Sequence, residues 1–190
     1  EAAVPTATTS RMLRLFTALT LPPDVGETLQ RRQSGLPGAR WRPLEALHVT
    51  LAFYGETDER RADDLASELA RVAGAPFEIV LKGVGAFGDN HRSHTIWAGV
   101  ETPNEPLSVL AGRCRKAGER ANIVLEKRDY RPHVTLAYLK PQTNPDRIGA
   151  WMAGHNLLHS PPIRIDRFGL YSSVLTDDGS HYELEREYLL

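Results

Sequence analysis

The pentapeptide His48-Val49-Thr50-Leu51-Ala52 returns letter for letter as His133-Val134-Thr135-Leu136-Ala137, 85 residues later, and an aromatic residue follows each copy, Phe53 or Tyr138. Each copy is reached through a basic, proline-containing approach, Trp41-Arg42-Pro43 for the first and Arg128-Asp129-Tyr130-Arg131-Pro132 for the second. The alternation of His and Thr with Val and Leu is the period-two pattern of a strand. A repeat at this distance is too long for a solenoid and implies two related lobes. In a strand His48 and Thr50 project from one face about 6.6 Å apart, and so do His133 and Thr135. Two lobes packed about an approximate two-fold axis would bring both pairs to one cleft, presenting two imidazoles and two hydroxyls. Thr hydroxyls can donate to phosphate oxygens, while a neutral imidazole takes a proton from water and an imidazolium returns one to a leaving oxygen. One His-x-Thr strand alone would read as ordinary sheet surface; the doubling with matched flanks points to chemistry.

The remaining chain is consistent with a mixed fold. Met12 to Leu21 reads as a strand that Pro22-Pro23-Asp24 turns into a helix over 24–33. The strand of the first motif is expected to close at Gly55. Ala62, Leu65, Leu69 and Val72 have helical spacing within 58–72, and Leu107, Leu110, Cys114 and Ala117 repeat it after Asn104-Glu105-Pro106, so these two long helices look alike. Strands over 77–81 and 95–100 are expected to form a hairpin around a polar loop at 88–93. A strand over 131–139, a helix from Pro145 to about Gly154, and closing strands over 163–171 and 182–188 follow. Hairpins interrupt strict strand–helix alternation, so the fold class is α+β with antiparallel pairing.

Composition limits the function. Among the 190 residues, Lys plus Arg number 23 against 24 Asp plus Glu, a formal charge of −1, which excludes a global field for long duplex nucleic acid and makes any RNA contact local. The single Cys114 cannot form an internal disulfide and fits a reducing compartment, hence a cytoplasmic location. No apolar run approaches a membrane span. Residues 1–10 are small and polar and are set apart as a disordered or appended tail, leaving 11–190 as one bilobal domain.

With these motifs the sequence resembles the two-histidine phosphoesterases, and within them the RNA 2′,3′-cyclic phosphodiesterases formerly called 2′-5′ RNA ligases. Arg14-Leu15-Phe16-Thr17-Ala18 looks like that family's opening strand, Trp97-Ala98-Gly99-Val100 its middle strand, and Leu170-Tyr171-Ser172-Ser173 with Gly179 and Tyr182 its closing hairpin. The resemblance implies a bilobal duplication in which two antiparallel sheets line a central cleft and helices lie outside. It also implies metal-independent opening of a 2′,3′-cyclic phosphate on RNA ends or nucleotides to a 2′-phosphomonoester. By position His48 becomes the proton donor and His133 the acceptor, with Thr50 and Thr135 holding the phosphate; the residues themselves do not divide the two histidine roles. Phe53, Arg42, Arg131 and Tyr138 complete the expected substrate contacts. Members of that family often carry Arg where Tyr138 stands, which leaves Arg128, Arg131 or Lys140 to supply the charge. A binding module without turnover and a ligase using an RNA 5′-hydroxyl in place of water are the alternatives. A monomer without cofactor is expected.

Several weaker signals are read plainly. Gly83-Val84-Gly85-Ala86-Phe87-Gly88 spells a dinucleotide fingerprint but leads into a polar loop rather than a helix, so its glycines are strand-end and turn residues. His155 and His159, and His91 with His94, lack further ligands, and no metal is expected. Between Arg113 and Arg131 seven Lys or Arg face three acidic residues, and Arg31, Arg32 and Arg40 precede the first motif; these either face solvent or attract RNA. Trp41, Tyr54 and Tyr171 join Phe53 as aromatics able to stack on a base.

Overall fold

The structure, a computed structural model, describes residues 11–89, 92–177 and 179–190. The proposed tail at 1–10, His91, and Asp178 of the last turn lie outside the described residues. Among the described residues, ten strands and four α-helices follow in the order β1 (Met12–Thr20), α1 (Pro23–Gln30), β2 (Ala39–Trp41), β3 (His48–Asp58), α2 (Glu59–Leu69), β4 (Phe77–Ile79), β5 (Leu81–Asp89), β6 (Arg92–Val100), α3 (Glu105–Arg120), β7 (His133–Leu139), α4 (Pro145–His155), β8 (Ile163–Ile165), β9 (Arg167–Thr176) and β10 (Gly179–Leu189), with a 3₁₀ turn at Leu44–Ala46 before the first motif. The α+β class is as expected.

The helices start where side chains can satisfy the first free amides. Asp58 accepts from the Arg61 amide, Asn104 from Leu107 and Asn144 from Asp146, while Pro23 opens α1 in place of a capping side chain. Their apolar faces, with Leu65, Leu69, Leu107, Leu110 and Cys114 buried, cover one side of the large sheet. Val49, Leu51, Val134 and Leu136 meet them there, so the alternate residues of the two motif strands are left for the other side.

The large sheet runs β10-β9-β1-β3-β7-β6-β5, with β2 also on β7. Its two halves join through the antiparallel pair Val49–Val134, the same position in each motif copy. Pairing between equivalent residues is what a two-fold axis produces, and the small sheet repeats it: β4 meets β8 with Glu78 opposite Arg164. The repeat extends to the neighbours. Leu19 faces Val49 in β1 as Ala98 faces Val134 in β6, and both pairings slip by one residue just beyond, at Thr17/Ala18 and Ile96/Trp97. By chain order β1-α1-β3-α2-β4-β5 thus corresponds to β6-α3-β7-α4-β8-β9. The last large-sheet strand of each unit completes the half built on the other, β5 on β6 and β9 on β1.

Several sequence expectations are corrected by this topology. The similar helices α2 and α3 hold different places in the repeat; α2 corresponds to α4. Their shared spacing reports only that both bury one face. Helix α1 stops at Gln30, short of 33. Strand β3 continues past Gly55 to Asp58, because Gly55, at φ 72°, forms a bulge: Leu15 pairs with Gly55 and Phe16 with Phe53, skipping Tyr54. The segment 77–81 is not the hairpin partner of 95–100. Residues 77–79 pair with β8, and β5 forms the hairpin with β6, so the Gly83–Gly88 run lies inside a strand and much of the expected loop is paired. The strand expected over 163–171 divides at Asp166 because its first three residues belong to the small sheet.

Candidate active site

The exposed side of the sheet junction is a cleft of about 220 Å³ lined by residues of β1, β3, β7, β9 and β10 together with Arg42 and Ala46. His48, Thr50, His133 and Thr135 all line it. The Val49–Val134 register puts His48 across from Thr135 and Thr50 across from His133, so the imidazoles take opposite corners and the hydroxyls the other two. This is the convergence the repeat requires.

The two imidazoles are held alike. His133 Nδ1 donates to the Arg131 carbonyl at 2.7 Å, and His48 is hydrogen-bonded to the backbone of Ala46, again two residues upstream. With Nδ1 of His133 used on the backbone, its Nε2 is left for the cleft. His48 Nε2 lies 3.0 Å from Thr50 Oγ1. Aromatic rings fix both imidazoles: Phe16 stacks on His48 with centroids 5.1 Å apart and Tyr182 meets its edge at 5.3 Å, while Phe87 and Trp97 flank His133 at 4.8 and 6.3 Å. The Trp97 ring lies flat across Gly85, where any Cβ would stand 2.3 Å from Cζ2. The middle glycine of the literal dinucleotide fingerprint, Gly85, therefore makes room for the wall beside His133.

Burial dominates the electrostatics. Loss of water pushes His48 down to about 4, opposed by its bond to Ala46 and reinforced by the Arg42 guanidinium and by His133. His133 is also lowered, by burial first, with its bond to Arg131 opposing. Near neutral pH both rings therefore favour the uncharged form, and the fixed positive charge in the cleft comes from Arg14 and Arg42. No Asp or Glu among the described residues lines the cleft, so in a chain of net charge −1 this is a local site for an anion.

Of the other residues expected in the site, Phe53, Arg42 and Tyr138 line the cleft. Arg42 lies over the Tyr138 ring at 5.2 Å and donates to the Tyr182 hydroxyl at 3.0 Å, and Gln33 holds its backbone by donating to the Arg42 carbonyl. Arg131 is exposed and does not line the cleft; it reaches the site through the carbonyl that orients His133. Arg128 pairs with Glu126. Arg113, Arg115 and Arg120 tie helix α3 to the Ala73 carbonyl, to Glu126 and to Glu68, which favours the structural reading of that basic stretch. Trp41 packs on Trp151, and Tyr54 is buried with its hydroxyl donating to the Cys114 carbonyl, so neither offers a face to a base. Tyr171 stacks behind Phe16. His155 lies against Trp151 and beside Arg32, and His159 forms a bridge with Lys82; the two do not share a site.

Arg14, Phe16, Ser173, Ser180 and Tyr182 also line the cleft, and sequence reading did not assign them site roles. Arg14 carried a usable signal: a charge inside an apolar strand beside a pattern that alternates across the sheet. Tyr182 had none, because only the order β10-β9-β1 brings it to His48.

The chain is similar to known proteins over most of its length. The family model of the 2′-5′ RNA ligase superfamily matches residues 21–176. The chain belongs to that superfamily. A Thermotoga maritima protein named RNA 2′,3′-cyclic phosphodiesterase is 32% identical over 90% of this chain and 92% of its own length. An Archaeoglobus fulgidus protein of the same name is 28% identical over 90% and 97%. Among solved structures of the same fold, TT0787 of Thermus thermophilus aligns with a TM-score of 0.77 at 26% identity, covering 93% of this chain and 97% of that one. Escherichia coli LigT complexed with 3′-AMP aligns with a TM-score of 0.76 at 24% identity, covering 95% and 99%. No helix among the described residues is long and apolar enough to cross a membrane.

Proposed function

We propose that this chain opens RNA or nucleotide 2′,3′-cyclic phosphates to 2′-phosphomonoesters, with His133 drawing a proton from the attacking water and His48 protonating the departing ribose 3′-oxygen. The observation that carries the reading is the diagonal placement of two Nε2 atoms and two hydroxyls around one cleft whose described lining holds no carboxylate. Related proteins named for this activity support it. The division of roles between the rings follows the family resemblance.

Thr50, Thr135 and the guanidiniums of Arg42 and Arg14 supply donors for the non-bridging oxygens. As negative charge builds on those oxygens these donors bind it more tightly, which is where catalysis gains. Burial in the cleft wall disfavours imidazolium, at His48 most of all. A bound phosphate reverses this by placing an anion against the ring and restoring the proton that the donor must give. Two imidazoles supply both proton transfers, so we read the reaction as metal-independent; the described lining offers no carboxylate to hold a hard cation. Residues 11–190 act as one cytoplasmic, monomeric unit on this reading.

The test is hydrolysis of a 2′,3′-cyclic nucleotide in EDTA across pH 4 to 9. Turnover should survive the chelator and give the 2′-phosphate. The productive free enzyme carries one proton on the pair. Since both rings lie below 6.5, kcat/KM should peak on the acid side of 6.5 and fall as pH rises and that proton leaves. The kcat profile should lie at higher pH, because bound phosphate raises both rings. Loss of activity in EDTA, or a flat profile, contradicts the mechanism.

A further inference from the structure

The duplication makes Phe53 and Tyr138 equivalent positions, one on each side of the two-fold axis, and both line the cleft. A guanidinium lies over each ring, Arg14 over Phe53 and Arg42 over Tyr138, each 5.2 Å from the centroid. These arginines come from unrelated places, β1 and the segment after β2, so the second pair is not a by-product of the repeat. Despite the covering cations, Phe53 remains 49% and Tyr138 38% exposed. A cleft of about 220 Å³ suits a phosphate but cannot enclose a whole nucleotide, which sends attached bases to its lips.

We propose that the cleft holds two nucleosides, one on either side of the phosphorus, with Tyr138 and Arg42 forming the second base-stacking subsite. The nucleoside bearing the reacting phosphate stacks on Phe53 and Arg14 in the half that carries His48. The second lies across the phosphorus, in the half that carries His133. This placement rests on the phosphodiesterase reading for its orientation. The ligand class is a dinucleoside monophosphate: a singly charged diester between two guanidiniums, with a flat base for each aromatic ring. The Tyr182 hydroxyl fixes Arg42 at 3.0 Å, so the second shelf is ordered before a ligand arrives.

Calorimetric titration of the full chain with two non-cyclising ligands tests this: the deoxydinucleotide d(ApA), and the 3′-methylphosphate of deoxyadenosine, which keeps the diester charge but lacks the second base. Stacking on Tyr138 should make d(ApA) bind tighter by about 5- to 150-fold. Tyr138→Ala should cut that advantage below about twofold and Tyr138→Phe should retain it, because the ring and not the hydroxyl carries the stack. Phe53→Ala should weaken both ligands and leave their ratio. Equal affinities in the unaltered protein, failure of both ligands to bind, or an advantage that survives Tyr138→Ala overturns the subsite. A d(ApA) advantage in a protein that hydrolyses no cyclic phosphate would instead leave the subsite standing and remove the phosphodiesterase reading.

Discussion

His48→Ala and His133→Ala should each lower kcat for cyclic-phosphate opening by about 10²- to 10⁴-fold, the usual contribution of one positioned proton-transfer group. Each ring is held by a backbone carbonyl and by aromatic walls rather than by a buried ion pair, so truncation removes the proton carrier without leaving an orphaned charge. The protein should therefore remain folded, with a near-native circular dichroism spectrum. The two losses should not multiply in the double variant, because both groups serve one displacement. A 4-nitrophenyl phosphodiester separates their roles, since its leaving group departs without a proton. His48→Ala should recover most of its rate on that substrate and His133→Ala should not. Recovery by the His133 variant instead would exchange the donor and acceptor. Near-native turnover by both variants on the cyclic substrate would remove the mechanism.

Thr135→Val and Thr50→Val should each cost about 10²- to 10³-fold in kcat, the range found when one donor to a developing oxyanion is removed. Valine keeps the branched shape that suits a strand and takes away only the hydroxyl. Both positions are partly exposed on the cleft side, so melting temperatures should change little. Steady-state kinetics on the cyclic nucleotide read the loss. A rise in KM with kcat preserved would mean that the hydroxyls bind the ground state and transition state alike, contrary to their assigned role.

How far the sequence predicted these features depended on symmetry. The repeated His-x-Thr strands announced the two related halves of the sheet and the four side chains that share one cleft, since period two fixes which residues share a face and the duplication fixes how many. The axis through Val49 and Val134 is the physical expression of that repeat. Features that break the repeat were hidden. Gly55 read as a stop because a positive-φ glycine ends most strands; here a bulge absorbs it and the strand goes on to cap α2 with Asp58. Residues 77–81 and 163–171 read as single strands because local strand propensity does not record which sheet a residue pairs in, and the sheet changes at Val80 and Asp166. Tyr182 and Arg14 reach His48 and Phe53 only through long-range strand order. Which cation stands beside position 138 was not legible in the sequence. Arg42, on the neighbouring chain segment, places its guanidinium over Tyr138, whereas Arg131, nearer to the motif in sequence, points elsewhere.

The most direct measurement is a crystal structure with a nucleoside–vanadate complex, which mimics the five-coordinate phosphorus of the displacement. The account predicts vanadium in the β3–β7 cleft, with His48 Nε2 and His133 Nε2 each about 3 Å from oxygens on opposite sides of it. Vanadate bound elsewhere, or contacted by one imidazole alone, would contradict the account.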